Sequence, residues 1–290
     1  MRPDDEDANT YHPFWSHLFA KDVYGTAESA NLELKEYFGT KDVFDTVKPV
    51  RLIRALLGHM RGVENDTDFT VIDFFSGSAT TAEAVLDINA REGLGLKYIL
   101  VQLDDGIAED RIARTLGFAT IDQIGRERIK RAAAKIKEET GADIDYGFKL
   151  FRLDEPSEQT IDQLYEFDPS QGALFEGDYV SKFATDEASG KDVILTTWLN
   201  QDGFGLNAKP GQVNLAGYTL DVCEDSAYII DTGLTSDDVV ELVRLIETGE
   251  LDVSRIVVFG YSVKFNVMHE LKKNMNVLKS GRNVTVIERL

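Results

Sequence analysis

The run Asp-Phe-Phe-Ser-Gly-Ser-Ala-Thr-Thr at positions 73–81 contains the residue types best suited to ligand binding in this chain. It follows a short apolar segment and leads into a helical pattern, which predicts a strand, a tight turn and a helix N-terminus. Backbone N–H groups at such a turn can bind a ligand. The chain has neither the Gly-Lys-Ser/Thr of a phosphate-binding P-loop nor the spaced glycines of a dinucleotide site, which excludes both classes.

The residue types within this turn suggest separate roles. Asp73 would accept backbone N–H bonds and hold the turn, although an ordinary acidic residue at a strand end looks the same. Gly77 would let a ligand approach the backbone closely, and Thr80 would cap the helix. The complete string before a helix favours a cofactor loop over a plain α/β turn.

Two further pairs of residues are candidates for the same site. Phe44 with Asp45 suits a sulfonium ligand, because an aromatic face attracts a cation; the alternative is that Phe44 packs against the start of a helix. Gln102 and Asp104 end the next strand, where acceptors in a doubly wound fold face ribose hydroxyls; the alternative is two solvated loop residues.

Other polar features favour structural roles. A dense basic cluster is expected to form the solvated outer face of an amphipathic helix. Its members are Arg126, Arg128, Lys130, Arg131, Lys135 and Lys137. The four histidines lie apart, and the single Cys223 cannot form a cysteine zinc site, so no metal site is predicted.

Strands alternating with helices predict an α/β fold with a parallel, doubly wound sheet. The predicted strands are Phe69–Phe74, Tyr98–Leu103 and Phe148–Leu153, and the helices between them are Thr80–Arg91 and Thr120–Glu139. Upstream, residues 1–30 are expected to be an extended arm, followed by a helix at Asn31–Phe38 that Gly39 ends and by a second helix after Pro49.

A smaller C-terminal α/β domain is predicted beyond an acidic, loop-like stretch. Its predicted strands are Val193–Leu199, Gln212–Cys223, Ala227–Asp231, Arg255–Tyr261 and Asn283–Glu288. Thr235 to Asp238 are expected to cap a helix that runs to Glu247, and a second helix is expected near Asn266–Leu278. The predicted divisions are an N-terminal arm (1–40), a ligand-binding portion (41–155), a linker (156–189) and an interaction domain (190–290).

The net charge of the 290-residue chain is −20, which repels a phosphate backbone at long range and disfavours tight binding of nucleic acid by this chain alone. The acidic start lacks the layout of a signal peptide, and the single cysteine fits a reducing cytoplasm. No apolar run approaches the ~20 residues of a membrane span.

The order of these segments resembles the modification (Mod) subunit of type III restriction–modification systems, the adenine-N6 DNA methyltransferases of the β arrangement. The segments are Phe44-x-x-x-Lys-Pro49, DFFSGSATT, YILVQL, Ile124-Gly-Arg-Glu-Arg-Ile129 and GFKLFRLD. The resemblance implies a Rossmann-like half-sheet that binds S-adenosylmethionine. It maps Phe44, Asp45, Asp73, Phe75, Gly77, Ser78, Thr80 and Gln102 onto the cofactor site, and Asp104 is added because it follows the same strand as Gln102.

The sequence departs from the family at informative positions. Ala79 stands where a glycine is usual, and Thr46-Val47 where a proline is common. The family's catalytic Asp/Asn/Ser-Pro-Pro-aromatic tetrapeptide precedes the cofactor segments and is absent from this sequence; Asp168-Pro-Ser-Gln does not replace it. The chain therefore resembles a truncated, C-terminal half with no catalytic residue of its own, and Phe69–Phe74 would be an exposed apolar edge unless another polypeptide completes the sheet.

The leading hypothesis is the S-adenosylmethionine-binding part of a site-specific adenine-N6 DNA methyltransferase, inactive alone. Its expected partners are DNA, reached through a partner chain or missing N-terminal half, and a second copy or a restriction subunit. The alternative is a non-catalytic assembly or dimerisation module acting through residues 190–290. A small-molecule methyltransferase is disfavoured, since no acid–base group is placed near the loop.

Overall fold

A computed structural model describes residues 21–64, 68–165, 179–278 and 281–289. It divides the chain into two compact units, Met1–Phe151 and Arg152–Leu290. Most of the predicted arm and the Asp168 tetrapeptide lie outside the described residues. The finer division into arm, ligand-binding portion, linker and interaction domain stays a prediction.

The first unit is built from short helices and a small parallel sheet. Its elements are α1 (Lys21–Tyr24), α2 (Ala27–Phe38), α3 (Val50–Glu64), β1 (Thr70–Asp73), α4 (Thr80–Glu92), β2 (Lys97–Leu100), α5 (Ile112–Thr115) and α6 (Ile121–Thr140). Strands β1 and β2 run parallel, with Val71 opposite Tyr98. Helix α4 packs between α3 and α6.

Helix α2 begins four residues before the predicted start, inside the region expected to be an extended arm. Thr26 caps it: the Thr26 Oγ1 accepts from the Ser29 N–H at 3.2 Å, and the Ser29 Oγ accepts from the Thr26 N–H at 2.8 Å. The helix ends at Gly39, which adopts the left-handed conformation, as predicted. The reciprocal cap explains the early start, because it pairs two backbone donors that would otherwise be unsatisfied.

The sheet of the first unit is covered by helices on one face. Val71, Tyr98 and Leu100 point toward the clusters formed with α4 and α6. On the opposite face Ile72 is 53% exposed and Ile99 is 51% exposed. The strand predicted at 69–74 is formed as β1, and its apolar outer face is open because among the described residues β1 pairs only with β2 and helices pack on one side alone.

The predicted strand at Phe148–Leu153 is also not formed. Phe148 packs against the cluster that contains Ile129 and Ile136 of α6. Leu150 and Phe151 remain about two-fifths exposed. The apolar side chains of this segment gave it a strand pattern, yet its backbone pairs with neither β1 nor β2 in the part of the chain described.

The second unit contains a five-stranded sheet. Its elements are α7 (Glu158–Tyr165), a 3-10 turn (Ser181–Phe183), α8 (Gly190–Gln201), β3 (Gly211–Asn214), β4 (Thr219–Cys223), β5 (Ser226–Ile229), α9 (Ser236–Thr248), β6 (Arg255–Phe259), α10 (Phe265–Met275) and β7 (Thr285–Arg289). The strand order follows the chain, β3–β5 antiparallel and β5–β7 parallel. One apolar cluster includes residues of α9 and α10 and a second includes α8, so both faces of the sheet are covered.

Two predictions for the second unit are corrected. Val193–Leu199 lies inside helix α8, where Ser189 accepts from the Asp192 N–H and where Ile194, Leu195 and Trp198 are buried at helical spacing. The single strand predicted at Gln212–Cys223 is a hairpin of β3 and β4. The cap that we predicted at Thr235 is confirmed by its bond from the Asp238 N–H.

Candidate functional site

The candidate site is the turn that connects β1 to α4. The Asp73 Oδ1 accepts from the Phe75 N–H at 3.1 Å, and the Asp73 Oδ2 accepts from the Thr81 hydroxyl at 2.6 Å. One carboxylate therefore spans the turn from the strand end to the first turn of the helix. The predicted role of Asp73 in holding the turn is confirmed.

Gly77 lies where three segments meet. Its backbone is left-handed, with φ of 49°, and a Cβ at this position would stand 3.0 Å from Phe44 Cζ. Its N–H donates to the Gln102 Oε1 at 2.8 Å. The structure thus places Phe44 and Gln102 each beside the Gly77 backbone, although the sequence separates the three residues widely.

Ala79 precedes α4 in a left-handed conformation with φ of 60° and ψ of 36°. This conformation costs a residue with a Cβ about 1 kcal/mol, which explains why glycine would be favoured here. The cap expected from Thr80 is wrong: Thr80 is the first residue of α4, and Ala79 in the capping position provides no side-chain acceptor. The first backbone N–H groups of α4 therefore lack a side-chain cap.

Helix α6 packs closely against this turn because residue 125 is glycine. A Cβ at Gly125 would lie 3.0 Å from the Gly77 carbonyl oxygen and 3.3 Å from the Ala79 Cβ. The Ala79 methyl is completely buried. Gly125 thus provides the space that the extra methyl of Ala79 occupies.

Behind the turn lies Arg128, a completely buried side chain of α6. Its Nη1 donates to the Thr80 Oγ1 at 2.7 Å and to the Ser78 Oγ at 3.0 Å. Its Nε donates to the Glu83 Oε2 at 2.7 Å. The hydroxyls of Ser78 and Thr80 consequently point into the protein.

Two more residues of α2 complete this buried network. The Tyr37 hydroxyl donates to the Glu83 Oε1 at 2.7 Å, and Glu33 accepts from the Val50 N–H at 3.2 Å. Burial, and after it the neighbouring Glu83 charge, raises the pKa of Tyr37 and keeps its hydroxyl protonated. Burial also raises the pKa of Glu33, against the bond from Val50.

Two predicted site residues lie outside this cluster of contacts, and a third, Phe75, joins it only through its backbone N–H. Asp45 forms an ion pair with Arg111. Asp104 is exposed and forms no hydrogen bond or ion pair among the described residues. Phe75 is 89% exposed at the tip of the turn.

Comparison with known proteins gives this geometry a family context. Residues 189–284 match the family described as the type III R-M EcoP15I C-terminal domain. The chain is 34% identical over 273 residues to the type III restriction-modification enzyme StyLTI Mod subunit of Salmonella typhimurium, covering 87% of this chain and 41% of that protein. It is 31% identical over 278 residues to the EcoPI Mod subunit of Escherichia phage P1, covering 93% of this chain and 40% of that protein. This chain is related to the type III Mod subunits.

A third similarity concerns a shorter segment. The type II methyltransferase M.KpnI of Klebsiella pneumoniae is 35% identical over 102 residues, which is 35% of this chain and 23% of that protein. Together with the mixed α/β architecture, this similarity supports the predicted Rossmann-like methyltransferase fold, and the predicted resemblance to Mod subunits is confirmed. The chain spans about two fifths of the length of the Mod subunits that it matches.

Arg128 was not among the predicted site residues, because it was grouped with the solvated face of the basic cluster. That interpretation is wrong for Arg128, which is completely buried. The sequence does contain an indication of this burial. Arg128 lies one helical turn from both Ile124 and Ala132 and therefore on the inward-facing side of the helix. Two other arginines of α6 keep part of their side chains exposed and pair with acids of the same helix, Arg126 with Asp122 and Arg131 with Glu127.

Every helix among the described residues is too short or too polar to cross a membrane. In the same part of the chain, no three His, Cys, Asp or Glu side chains are arranged to hold a metal ion.

Proposed function

We propose that this chain binds S-adenosylmethionine and forms the donor side of a site-specific adenine-N6 DNA methyltransferase related to type III Mod subunits. The observation that carries the proposal is the β1–α4 turn, in which Gly77 contacts Phe44 and is held by Gln102. The similarity of the chain to Mod subunits and to a type II methyltransferase supports the same proposal.

The residues at the turn fit such a cofactor. The uncapped N-terminus of α4 leaves backbone donors that suit a carboxylate. The ring of Phe44 suits a sulfonium, since an aromatic face attracts a cation. Gly77 leaves the backbone open to close approach, and Asp104 is free to accept from ribose hydroxyls. The bound cofactor supplies the methyl group; the chain's residues bind and orient it.

The exposed sheet face favours a catalytic partner outside the described residues. Ile72, Ile99 and Val101 are each 44–53% exposed on or beside a sheet with two strands. An open apolar face of this kind favours association with another polypeptide segment. We propose that this segment carries the Pro-Pro-aromatic tetrapeptide and the DNA contacts, because the sequence has no adjacent prolines and a net charge of −20. Transfer also requires an adenine flipped out of the duplex.

Calorimetric titration of the purified chain with S-adenosylmethionine, using NAD and ATP as controls, tests this function. We expect selective binding of S-adenosylmethionine. Gly77→Leu should abolish binding, because a side chain there meets Phe44 and a left-handed backbone. Gly95→Leu is the matched control, since nothing lies within 4 Å of its added Cβ. Equal binding by both variants would contradict the site.

An assembly role is the second candidate, and the family match at residues 189–284 favours it. In that case the second unit mediates dimerisation or contacts a restriction subunit. A well-folded chain that binds none of the three ligands, and that forms a dimer through this unit, would support this role instead.

A further inference from the structure

We propose that Arg128 is the positioning residue of the β1–α4 turn, and that affinity for S-adenosylmethionine depends on it although it touches no ligand. This inference rests on the proposed function. The side chain is completely buried, so it acts on a ligand only through the residues that it holds. Those residues are Ser78 and Thr80, which flank the strained Ala79.

The contacts of Arg128 fix the turn on its inner side. Its Nη1 reaches both hydroxyls, at 3.0 Å for Ser78 and 2.7 Å for Thr80, and also the Ser78 carbonyl oxygen at 3.4 Å. Thr80 in turn donates to the Lys48 carbonyl oxygen at 3.3 Å. A single guanidinium thus connects the turn to the segment that leads into α3.

The opposite side of the turn is held by Gln102, which accepts from the Gly77 N–H. Between these two supports lie the left-handed residues Gly77 and Ala79. Ala79 is a non-glycine residue in an unfavourable conformation, and such a conformation persists only when the surrounding contacts enforce it. Removing the inner support should let the turn relax and should misplace the first N–H groups of α4.

Only an arginine satisfies all of these contacts. Its Nε pairs with Glu83 at 2.7 Å while its Nη1 faces the opposite way toward the turn, an arrangement that uses the rigid planar fork. A lysine ammonium can neutralise Glu83 or bind the hydroxyls, yet its single nitrogen is not spread across both. Arg128→Lys therefore keeps the buried charge balance and removes the bridge.

The test compares Arg128→Lys with Arg131→Lys, an exposed arginine of the same helix that is also paired with a glutamate. We expect Arg128→Lys to raise the dissociation constant for S-adenosylmethionine about tenfold, equivalent to ~1.4 kcal/mol, with the circular-dichroism spectrum unchanged. Arg131→Lys should bind as the wild type does. Hydrogen exchange at residues 76–82 should accelerate in Arg128→Lys alone.

A second variant covers the case in which Arg128→Lys does not fold. Ser78→Ala with Thr80→Val removes the two hydroxyl acceptors and leaves the Arg128–Glu83 pair intact, and we expect the same weakening and the same faster exchange. Combining Ser78→Ala with Arg128→Lys should weaken binding by less than the sum of the single effects, because both act through one contact.

The outcomes separate this inference from the proposed function. A wild-type chain that binds no S-adenosylmethionine overturns the proposed function, and unchanged exchange at residues 76–82 overturns the positioning role in any case. If the wild type binds S-adenosylmethionine and Arg128→Lys binds it with the same affinity, only the inference is overturned. Where Arg128→Lys does not fold, an unchanged affinity in the Ser78/Thr80 variant overturns it in the same way.

Discussion

At position 125 the side chain is a single hydrogen, and this decides how closely α6 approaches the β1–α4 turn. A Cβ there would stand 3.0 Å from the Gly77 carbonyl oxygen and 3.3 Å from the Ala79 Cβ. The Gly77 carbonyl oxygen belongs to a backbone segment that Phe44 and Gln102 hold in place, so it has little freedom to move. Gly125 and Ala79 are therefore complementary: the Ala79 methyl occupies space that is free because Gly125 has no side chain.

We expect Gly125→Ala to lower the free energy of unfolding by about 1 kcal/mol, because overpacking of ~1–3 kcal/mol exceeds the helix-propensity gain of ~1 kcal/mol. Gly58→Ala in α3 is the control, since its added Cβ meets nothing within 4 Å. That change should instead stabilise by ~0.5–1 kcal/mol. Urea denaturation measures both, and stabilisation by Gly125→Ala would contradict the packing described.

At the scale of elements, Asp238 joins the N-terminus of α9 to the β3–β4 hairpin. Its Oδ1 accepts from the Gly217 N–H at 2.7 Å and from the Tyr218 N–H at 2.9 Å, while its Oδ2 accepts from the Thr235 N–H at 2.9 Å. Burial by itself would raise the pKa of Asp238, but the bonds from Thr235, Gly217 and Tyr218 outweigh it and hold the pKa below its ordinary value. One carboxylate thus serves as helix cap and as anchor for the hairpin.

We expect Asp238→Asn to destabilise the second unit by about 2 kcal/mol, the scale of lost hydrogen bonds to a charged group. Because the folded-state pKa is lowered, the carboxylate's contribution is present above pH ~4 and is lost as the pH falls through that pKa. On acidification, the free energy of unfolding should therefore fall less in Asp238→Asn than in the wild type. Asp237→Asn, exposed in the same helical turn, is the control, and an equal effect of both variants would refute the anchoring role.

At the scale of the whole molecule, an acidic chain exposes an apolar sheet face in its first unit. The net charge of −20 opposes self-association, whereas Ile72 and Ile99, each about half exposed, favour it. Both isoleucines lie on the face opposite the helices. This face is where we expect a completing polypeptide to pack.

We expect Ile72→Thr with Ile99→Thr to reduce concentration-dependent association in sedimentation velocity at high salt, where charge repulsion is screened. Threonine keeps the strand preference of a β-branched residue, so the fold should persist in circular dichroism. Val240→Thr, at a residue 61% exposed in the second unit, should leave association unchanged. A wild-type chain that shows no association under these conditions would speak against an adhesive face.

Features that depend on neighbours in the chain were predicted well from the sequence. The caps at Gly39 and Thr235 rest on local backbone chemistry, and both are confirmed. Asp73 holds its turn through atoms within eight residues, again as predicted. The family resemblance could be read from the sequence because its motifs are short, ordered strings. The assignment of residues to a cofactor site stays a prediction.

Only the tertiary structure decided the features that depend on distant neighbours. Phe148–Leu153 has a strand pattern, but a strand needs a paired edge, and none forms there among the described residues. Val193–Leu199 is a short apolar run, and periodicity alone cannot distinguish a buried strand from a buried helix in such a run. Arg128 is charged and lies in a basic cluster, yet Glu83, Ser78 and Thr80 surround it with acceptors. The sequence by itself determined the turn and its family, since local spacing specifies backbone geometry; folding decided which side chains support the turn, since burial and pairing join residues far apart in the chain.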